Sequence, residues 1–198
     1  PETADQTEML AYTAEETATL PYTSLASEFA RIGQAVDEEG DDYGPGNFQY
    51  PSGADDFKVY DGMWDITGVQ VYESRSRVKF EYTFATEIQN VFGLNGISQQ
   101  FPQIYIRDPE AEDLPSTTEG REGLNVNFAE PYHYRVIVHG EGTQQVENAD
   151  GEAVSTDVNL SVQGNTVSID LPMSAIGGSP EGKQIASLVA PYDGFATG

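Results

Sequence analysis

The feature that most limits the fold is a strict alternation of apolar and polar side chains over residues 77–86. Val78, Phe80, Tyr82 and Phe84 occupy every second position of this segment. Successive side chains of a β-strand point to opposite faces, so the spacing predicts an antiparallel strand with one buried face.

Other short segments are similarly rich in β-forming residues, and no helices of comparable length alternate with them. Gly164-Asn165, a pair typical of tight hairpin turns, separates two of these segments. This pattern predicts an all-β fold, an antiparallel β-sandwich. The predicted strands cover residues 63–73, 77–86, 101–107, 124–128, 134–139, 154–162, 166–171 and 184–190, with one helical turn at 173–176.

The N-terminal part of the chain differs from the rest. Thr13-Ala14-Glu15-Glu16 has the spacing of a helix capping box, and residues 24–32, followed by Gly33, predict a short helix. We therefore interpret residues 1–35 as a short, partly helical arm or linker. The β-sandwich domain is predicted to cover residues 36–198.

The charge of the chain excludes one class of binding partner and indicates the salt concentration in which the protein works. With 33 acidic and 9 basic residues, the formal net charge is -24. Nucleic acid is excluded because phosphate binding requires a basic face. No apolar run reaches the roughly 20 residues of a membrane-spanning helix. Repulsion between so many carboxylates destabilises a compact state in dilute buffer, and in 1 M salt the screening length falls to about 3 Å. We therefore expect a halophilic protein, with an ordinary acidic extracellular domain as the alternative.

The sequence contains no constellation of residues typical of catalysis. It has no nucleophile elbow, phosphate-binding loop, zinc-protease motif or cysteine. His133 and His139 are separated by about 20 Å if both lie on one strand, too far to share a metal ion. We predict that the chain is not an enzyme. A haem-binding sandwich, with ligands drawn from Met63, Met173, His133 and His139, remains an alternative without a supporting spacing.

An acidic turn is the first candidate site. Asp37, Glu38, Glu39, Asp41 and Asp42 lie close together in a segment interrupted by glycine. Such a segment can place several oxygen ligands around a hard cation. We predict a metal site, with calcium as the cation, formed by Asp37, Asp41 and Asp42. The alternative is a solvated turn in an acidic protein.

Aromatic residues are the second candidate. Proteins bind sugars by stacking the rings on exposed aromatic side chains and by hydrogen-bonding the hydroxyl groups. We predict sugar contacts for Tyr43, Trp64, Phe92 and Tyr132, although a β-sandwich buries many aromatic residues in its core. Asn159 begins a glycosylation sequon, as suits an exported protein.

The acidic turn and the segments after it resemble a known family. Residues 40–46, Tyr50-Pro51 and Trp64-Asp65-Ile66 resemble the C-terminal binding module of glucodextranase, which is also attached to amylopullulanases. The resemblance covers about residues 36–198. Weaker blocks follow in the same order at residues 90–93, 95–98, 103–106, 123–126, 149–151 and 192–195.

The resemblance implies an immunoglobulin-like β-sandwich that is non-catalytic and belongs to an exported polypeptide. It also implies attachment to carbohydrate or to the cell surface. We therefore predict a carbohydrate-binding or cell-surface-attachment module, extracellular or at the cell surface, with a glycan or cell-envelope polysaccharide as partner. The alternative is a structural domain of a surface assembly that packs on neighbouring domains or copies of itself, for example by adding its arm to a neighbour's sheet.

Overall fold

The computed structural model describes residues 28–42, 60–92, 95–113, 115–120, 126–140, 142 and 144–191. In this part of the chain the regular elements are β-strands and one 3₁₀ helix, Met173–Ile176. The strands are β1 (Ala30–Val36), β2 (Ile66–Glu73), β3 (Arg77–Phe84), β4 (Gln100–Arg107), β5 (Tyr134–Val138), β6 (Gln144–Asn148), β7 (Ala153–Ser155), β8 (Asn159–Gln163), β9 (Thr166–Pro172) and β10 (Gln184–Pro191).

These strands form two antiparallel sheets. The first sheet has the order β1-β2-β3-β9-β8, and the second has the order β10-β4-β5-β6-β7. Apolar side chains from both sheets meet in one hydrophobic core. The predicted antiparallel β-sandwich is therefore confirmed.

The alternating segment forms β3, in the middle of the first sheet between β2 and β9. Val78, Phe80, Tyr82 and Phe84 are all 0% exposed, and the residues between them are partly exposed. Fully burying a large apolar side chain contributes about 1.5–3 kcal/mol, so this face of β3 is a major source of stability. The predicted face is the one that is buried.

The predicted hairpin at Gly164-Asn165 joins β8 to β9, with Gln163 paired to Thr166. Gly164 has a φ of +61°, a left-handed conformation that favours glycine. The Asn165 side chain donates a hydrogen bond of 2.8 Å to the carbonyl oxygen of Phe84, which holds the turn against the end of β3.

The helix predicted over residues 24–32 is wrong in its last residues. Positions 30–32 belong to β1, which pairs antiparallel with β2, and positions 24–27 lie outside the described residues. Helix propensity is a weak preference, and pairing with the edge of a sheet outweighs it here. β1 runs from Ala30 to Val36 and so crosses the boundary predicted after residue 35. The division into an arm and a domain stays a prediction.

Two further strand predictions differ from the structure. The segment predicted as one strand over 154–162 forms β7 in the second sheet and β8 in the first, because the chain crosses between the sheets at 156–158. β6 was not predicted, since its polar sequence QQVEN shows little alternation. Residues 121–125 lie outside the described residues, and within 126–128 the structure has an isolated bridge, Asn127 to Glu119.

No helix in the described ranges has both the length and the apolar character that crossing a membrane requires.

Candidate functional site

The outer face of the second sheet carries an aromatic cluster that includes Tyr132. Ile104 and Ile106 of β4 point into the core, so Tyr105 between them points to the opposite face. The Tyr105 ring lies 4.6 Å from the Phe128 ring and 4.8 Å from the Tyr132 ring, between centroids. The three rings therefore pack on one another over β4.

A cavity of about 210 Å³ opens beside this cluster. We call it the Tyr132 pocket. Its polar lining comes from Arg107 at the end of β4, Gln184 at the start of β10 and Glu130 in the connection before β5. The complete lining is Tyr105, Arg107, Phe128, Ala129, Glu130, Tyr132, Gln184, Ile185 and Ala186.

Arg107 organises the polar side of the pocket. Its guanidinium donates a hydrogen bond of 2.9 Å to the Gln184 side chain and forms an ion pair of 3.5 Å with Glu130. Its Nε atom is buried and has no hydrogen-bond partner. A planar cation, an amide and a carboxylate next to aromatic rings are the groups that recognise a sugar through stacking and hydroxyl hydrogen bonds.

Tyr132 contributes more to the wall of the pocket than to an open platform. It is 4% exposed, and its hydroxyl donates a hydrogen bond of 3.0 Å to the Glu119 carbonyl oxygen. The partly exposed ring at this position is Phe128. Sequence reasoning selected neither Phe128 nor Arg107. The alternation of Gln103, Tyr105 and Arg107 with isoleucines on β4 was the signal that could have indicated this face.

The other predicted sugar contacts lie elsewhere. Trp64 is 4% exposed, and its indole nitrogen donates a hydrogen bond of 3.3 Å to the Gln99 carbonyl oxygen. This burial favours a packing role. Gln99 precedes Tyr105 by six residues, or about 20 Å along an extended strand, so Trp64 does not lie on the same platform as Tyr132.

Phe92 is the predicted sugar contact with an exposed ring, at 45% exposure. Its backbone nitrogen donates to the Ser98 hydroxyl at 3.2 Å, and that hydroxyl donates to the Asn90 side chain at 3.0 Å. These bonds fix the turn that presents Phe92. Tyr43 lies outside the described residues.

Two of the four residues considered as haem ligands, His133 and Met63, have structural contacts. His133 accepts a hydrogen bond of 3.0 Å from the Asp108 backbone through Nδ1, and its Nε2 lies 3.2 Å from the Asp113 carbonyl oxygen. The Met63 sulfur accepts a hydrogen bond from the Tyr60 nitrogen at 3.5 Å. Both side chains thus hold connections of the sandwich in place.

The acidic turn follows β1 and approaches the start of β2. Partial desolvation raises the pKa of Asp37, and the charges of Asp41 and Asp65 raise it further. Desolvation also raises the pKa of Asp42, with Asp65 as the largest charge contribution. The charges of Asp41 and Asp65 therefore act on both Asp37 and Asp42, and Asp65 is a residue that the prediction did not include. The metal site predicted at Asp37, Asp41 and Asp42 stays a prediction.

Asp65 differs from the other acidic residues of this region because it is buried, with only 3% of its surface exposed. Its Oδ2 atom accepts a hydrogen bond of 2.7 Å from the Gly40 backbone nitrogen, and its Oδ1 atom is buried without a hydrogen-bond partner. The Gly40–Asp65 bond joins the acidic turn to the Trp64-Asp65-Ile66 segment. Within the described ranges, no group of three or more acidic or histidine side chains is arranged to hold a metal ion.

Asn159, the predicted glycosylation site, is exposed at the start of β8, an edge strand of the first sheet. Its backbone pairs with that of Asp170 in β9. The site is accessible, and its modification stays a prediction.

Comparison with known proteins identifies the family. A family model described as the C-terminal binding module, SLH-like, of glucodextranase matches residues 32–198. This range includes the strands β2 to β10, the Tyr132 pocket and the acidic turn. No protein with curated annotation shows significant similarity to the chain. The family is one of binding modules rather than catalytic domains, and the chain belongs to this family of SLH-like C-terminal binding modules of glucodextranase.

Proposed function

We propose that the chain is a non-catalytic module that binds a glycan or a cell-envelope polysaccharide and so attaches its polypeptide to a surface. The observation that carries this proposal is the match to a binding-module family over residues 32–198. The absence of known catalytic motifs from the sequence agrees with it.

The Tyr132 pocket is the sugar site that the geometry supports best. Phe128 offers a partly exposed ring at its wall, and Arg107 and Gln184 offer hydrogen-bond donors beside that ring. A sugar ring stacked on Phe128 would place its hydroxyl groups next to these donors. Phe92 is a second proposed contact, on a separate exposed turn.

We also propose that the module works outside the cell or at its surface in concentrated salt. The net charge of -24 supports the high-salt setting, because screening removes most of the repulsion between carboxylates. The absence of cysteine means that this stability does not come from disulfides.

The test is titration calorimetry in molar NaCl against soluble α-glucans and cell-envelope polysaccharide, with and without calcium. Saturable binding to one glycan class is expected. Phe128→Leu keeps apolar volume but removes the aromatic face, and we expect it to lower the affinity about two- to tenfold. Circular dichroism in 0.1 M and molar NaCl checks the salt requirement, and equal stability in both would contradict a halophilic module.

Tyr72→Leu is the matched control, since it removes an aromatic ring from the outer face of the first sheet, away from the pocket. It should leave glycan affinity unchanged. Phe92→Leu tests the second proposed contact in the same way. An affinity loss for Phe92→Leu but not for Phe128→Leu would move the site from the pocket to the exposed turn.

No binding by a folded protein to any of these glycans would reject the carbohydrate role. The alternative, a structural domain that packs on neighbouring domains or on copies of itself, would then be tested by light scattering in molar salt.

A further inference from the structure

Asp65 is a buried carboxylate without a positively charged partner among the described residues. Two backbone hydrogen bonds fix Asp65 just before β2. Its N–H donates to the Gly62 carbonyl oxygen at 3.2 Å, and its carbonyl oxygen accepts from the Ala85 N–H at 2.9 Å. None of the ion pairs in the described ranges involves Asp65. Burying a carboxylate without a compensating charge is costly, so a structure that keeps one there requires an explanation.

One of the two carboxylate oxygens is already used. Oδ2 accepts the Gly40 hydrogen bond, which sets the orientation of the carboxylate, while Oδ1 has no partner in a site with almost no solvent. A single neutral donor on one oxygen does not neutralise the charge. The position therefore favours an additional positive group on the Oδ1 side.

The acidic turn increases the negative charge at this point. Among the charges that act on Asp42, that of Asp65 is the largest, and the charges of Asp41 and Asp61 act on Asp42 as well. Asp37 interacts with both Asp41 and Asp65. Like charges gathered around a buried carboxylate destabilise the fold unless a cation lies between them.

We propose that Asp65 and Asp42 bind one divalent hard cation of the calcium type, with Asp65 Oδ1 as the buried ligand. Calcium takes six to eight oxygen ligands, and backbone carbonyl oxygens and water can supply those that carboxylates do not. A site with two carboxylates agrees with the lack of any three-residue metal group in the described ranges. The predicted set changes accordingly: Asp42 is kept, Asp65 is added, and Asp37 and Asp41 contribute charge.

The cation would connect two distant parts of the sequence. It would hold the turn after β1 to the start of β2. The Gly40–Asp65 hydrogen bond already joins these two segments, but it does not neutralise the charge of Asp65. Because the cation would bind the folded chain and not the unfolded one, its binding would raise the stability of the sandwich by mass action.

The experiment uses the full chain treated with EDTA, with no glycan present, so its outcome is independent of the proposed sugar binding. Calcium is titrated while thermal unfolding is followed, and terbium luminescence excited through tryptophan reports on an ion next to Trp64. At a hundredfold excess of calcium over its Kd, we expect Tm to rise by about 5–10 °C.

Asp65→Asn is the main variant, because its amide oxygen can still accept the Gly40 hydrogen bond while the charge is lost. It should lose at least tenfold in calcium affinity, as should Asp42→Asn. Glu39→Gln removes one charge from the same turn and should change the affinity less than twofold. If Asp65→Asn does not fold, Asp42→Asn alone decides.

Two results would overturn the proposal. One is a wild-type protein with neither a calcium-dependent rise in Tm nor terbium luminescence. The other is an equal effect of Glu39→Gln and Asp42→Asn, which would mean that the turn only attracts a diffuse layer of cations.

Discussion

The two sheets differ most on the faces that point away from the shared core. On the first sheet this face is polar and partly exposed, with Lys79 and Glu81 of β3 forming an ion pair of 2.6 Å. On the second sheet the corresponding face is buried along β4 and more exposed on the edge strands β7 and β10. Every residue of β4 from Gln100 to Ile106 is buried, whereas β3 alternates between buried and partly exposed residues.

This difference supports our proposal that the glycan site lies on the second sheet. A face covered by aromatic rings and by polar groups without partners costs more to maintain than a solvated one. Gln103 Nε2 and Arg107 Nε are both buried without a hydrogen-bond partner on the second sheet. These unpaired donors are on the sheet that carries the proposed Tyr132 pocket.

The largest expected effect comes from the second apolar cluster, formed by Phe101, Ile137 and Ala190 on the outer face of the second sheet. Phe101 is 0% exposed, and its ring stacks on His139 with 4.2 Å between centroids. Phe101→Ala should lower the free energy of unfolding by about 3–5 kcal/mol, as in a core. Urea denaturation measures this.

Tyr72→Ala is the matched truncation on the outer face of the first sheet, and it should cost about 1 kcal/mol or less. Equal costs for the two variants would show that the outer faces do not differ energetically, and the comparison would fail.

An intermediate effect is expected for the ion pair between Arg135 and Glu147 on the second sheet. The Glu147 side chain is 8% exposed and that of Arg135 is 19% exposed. Glu147→Gln leaves a largely buried guanidinium without its counter-charge, and we expect a loss of about 2 kcal/mol after allowing for the exposure of Arg135. Urea denaturation in 0.1 M and 1 M NaCl should give similar losses, because buried pairs are screened little. A loss that disappears in 1 M NaCl would contradict burial of this pair.

The smallest effect is expected for Glu81→Gln on the first sheet, below about 1 kcal/mol at pH 7. Burial alone would raise the pKa of Glu81, but hydrogen bonds with Lys79 and Tyr72 lower it overall below the ordinary value of 4.5. A lowered pKa stabilises the fold above pH 4.5, and this contribution disappears as pH falls through the folded-state value. The difference between wild type and variant should therefore shrink below pH 4.5 in urea titrations. A constant difference would exclude this charge as its source.

The buried and exposed faces of β3 could be predicted from the sequence more completely than those of β4. The alternation on β3 is local, and one solvated face leaves it visible in the sequence. On β4 the same alternation exists, but Tyr105 is covered by Phe128 and Tyr132, which are more than twenty positions away. Burial of the second face depends on a contact that no local pattern contains.

The candidate sites show the same limit. The acidic turn was recognisable because its carboxylates are neighbours in sequence, and Asp65 was not included because it reaches the turn through folding alone. An acidic residue between Trp64 and Ile66, at the start of a buried strand, was the available signal. Tyr132 was selected from its residue type, whereas the pocket around it results from three separate segments.

The position of β1 has a consequence for a module under tension. β1 is an edge strand that pairs only with β2, from Ala30 opposite Glu73 to Val36 opposite Gly68. A pull on the chain before Ala30 that is directed away from β2 would load these hydrogen bonds one after another rather than together, so β1 would peel while the core stayed intact. Peeling would advance toward the acidic turn, where the hydrogen bond from Gly40 to Asp65 would be the next contact to carry load. If the module anchors its polypeptide as proposed, β1 would be its most compliant element.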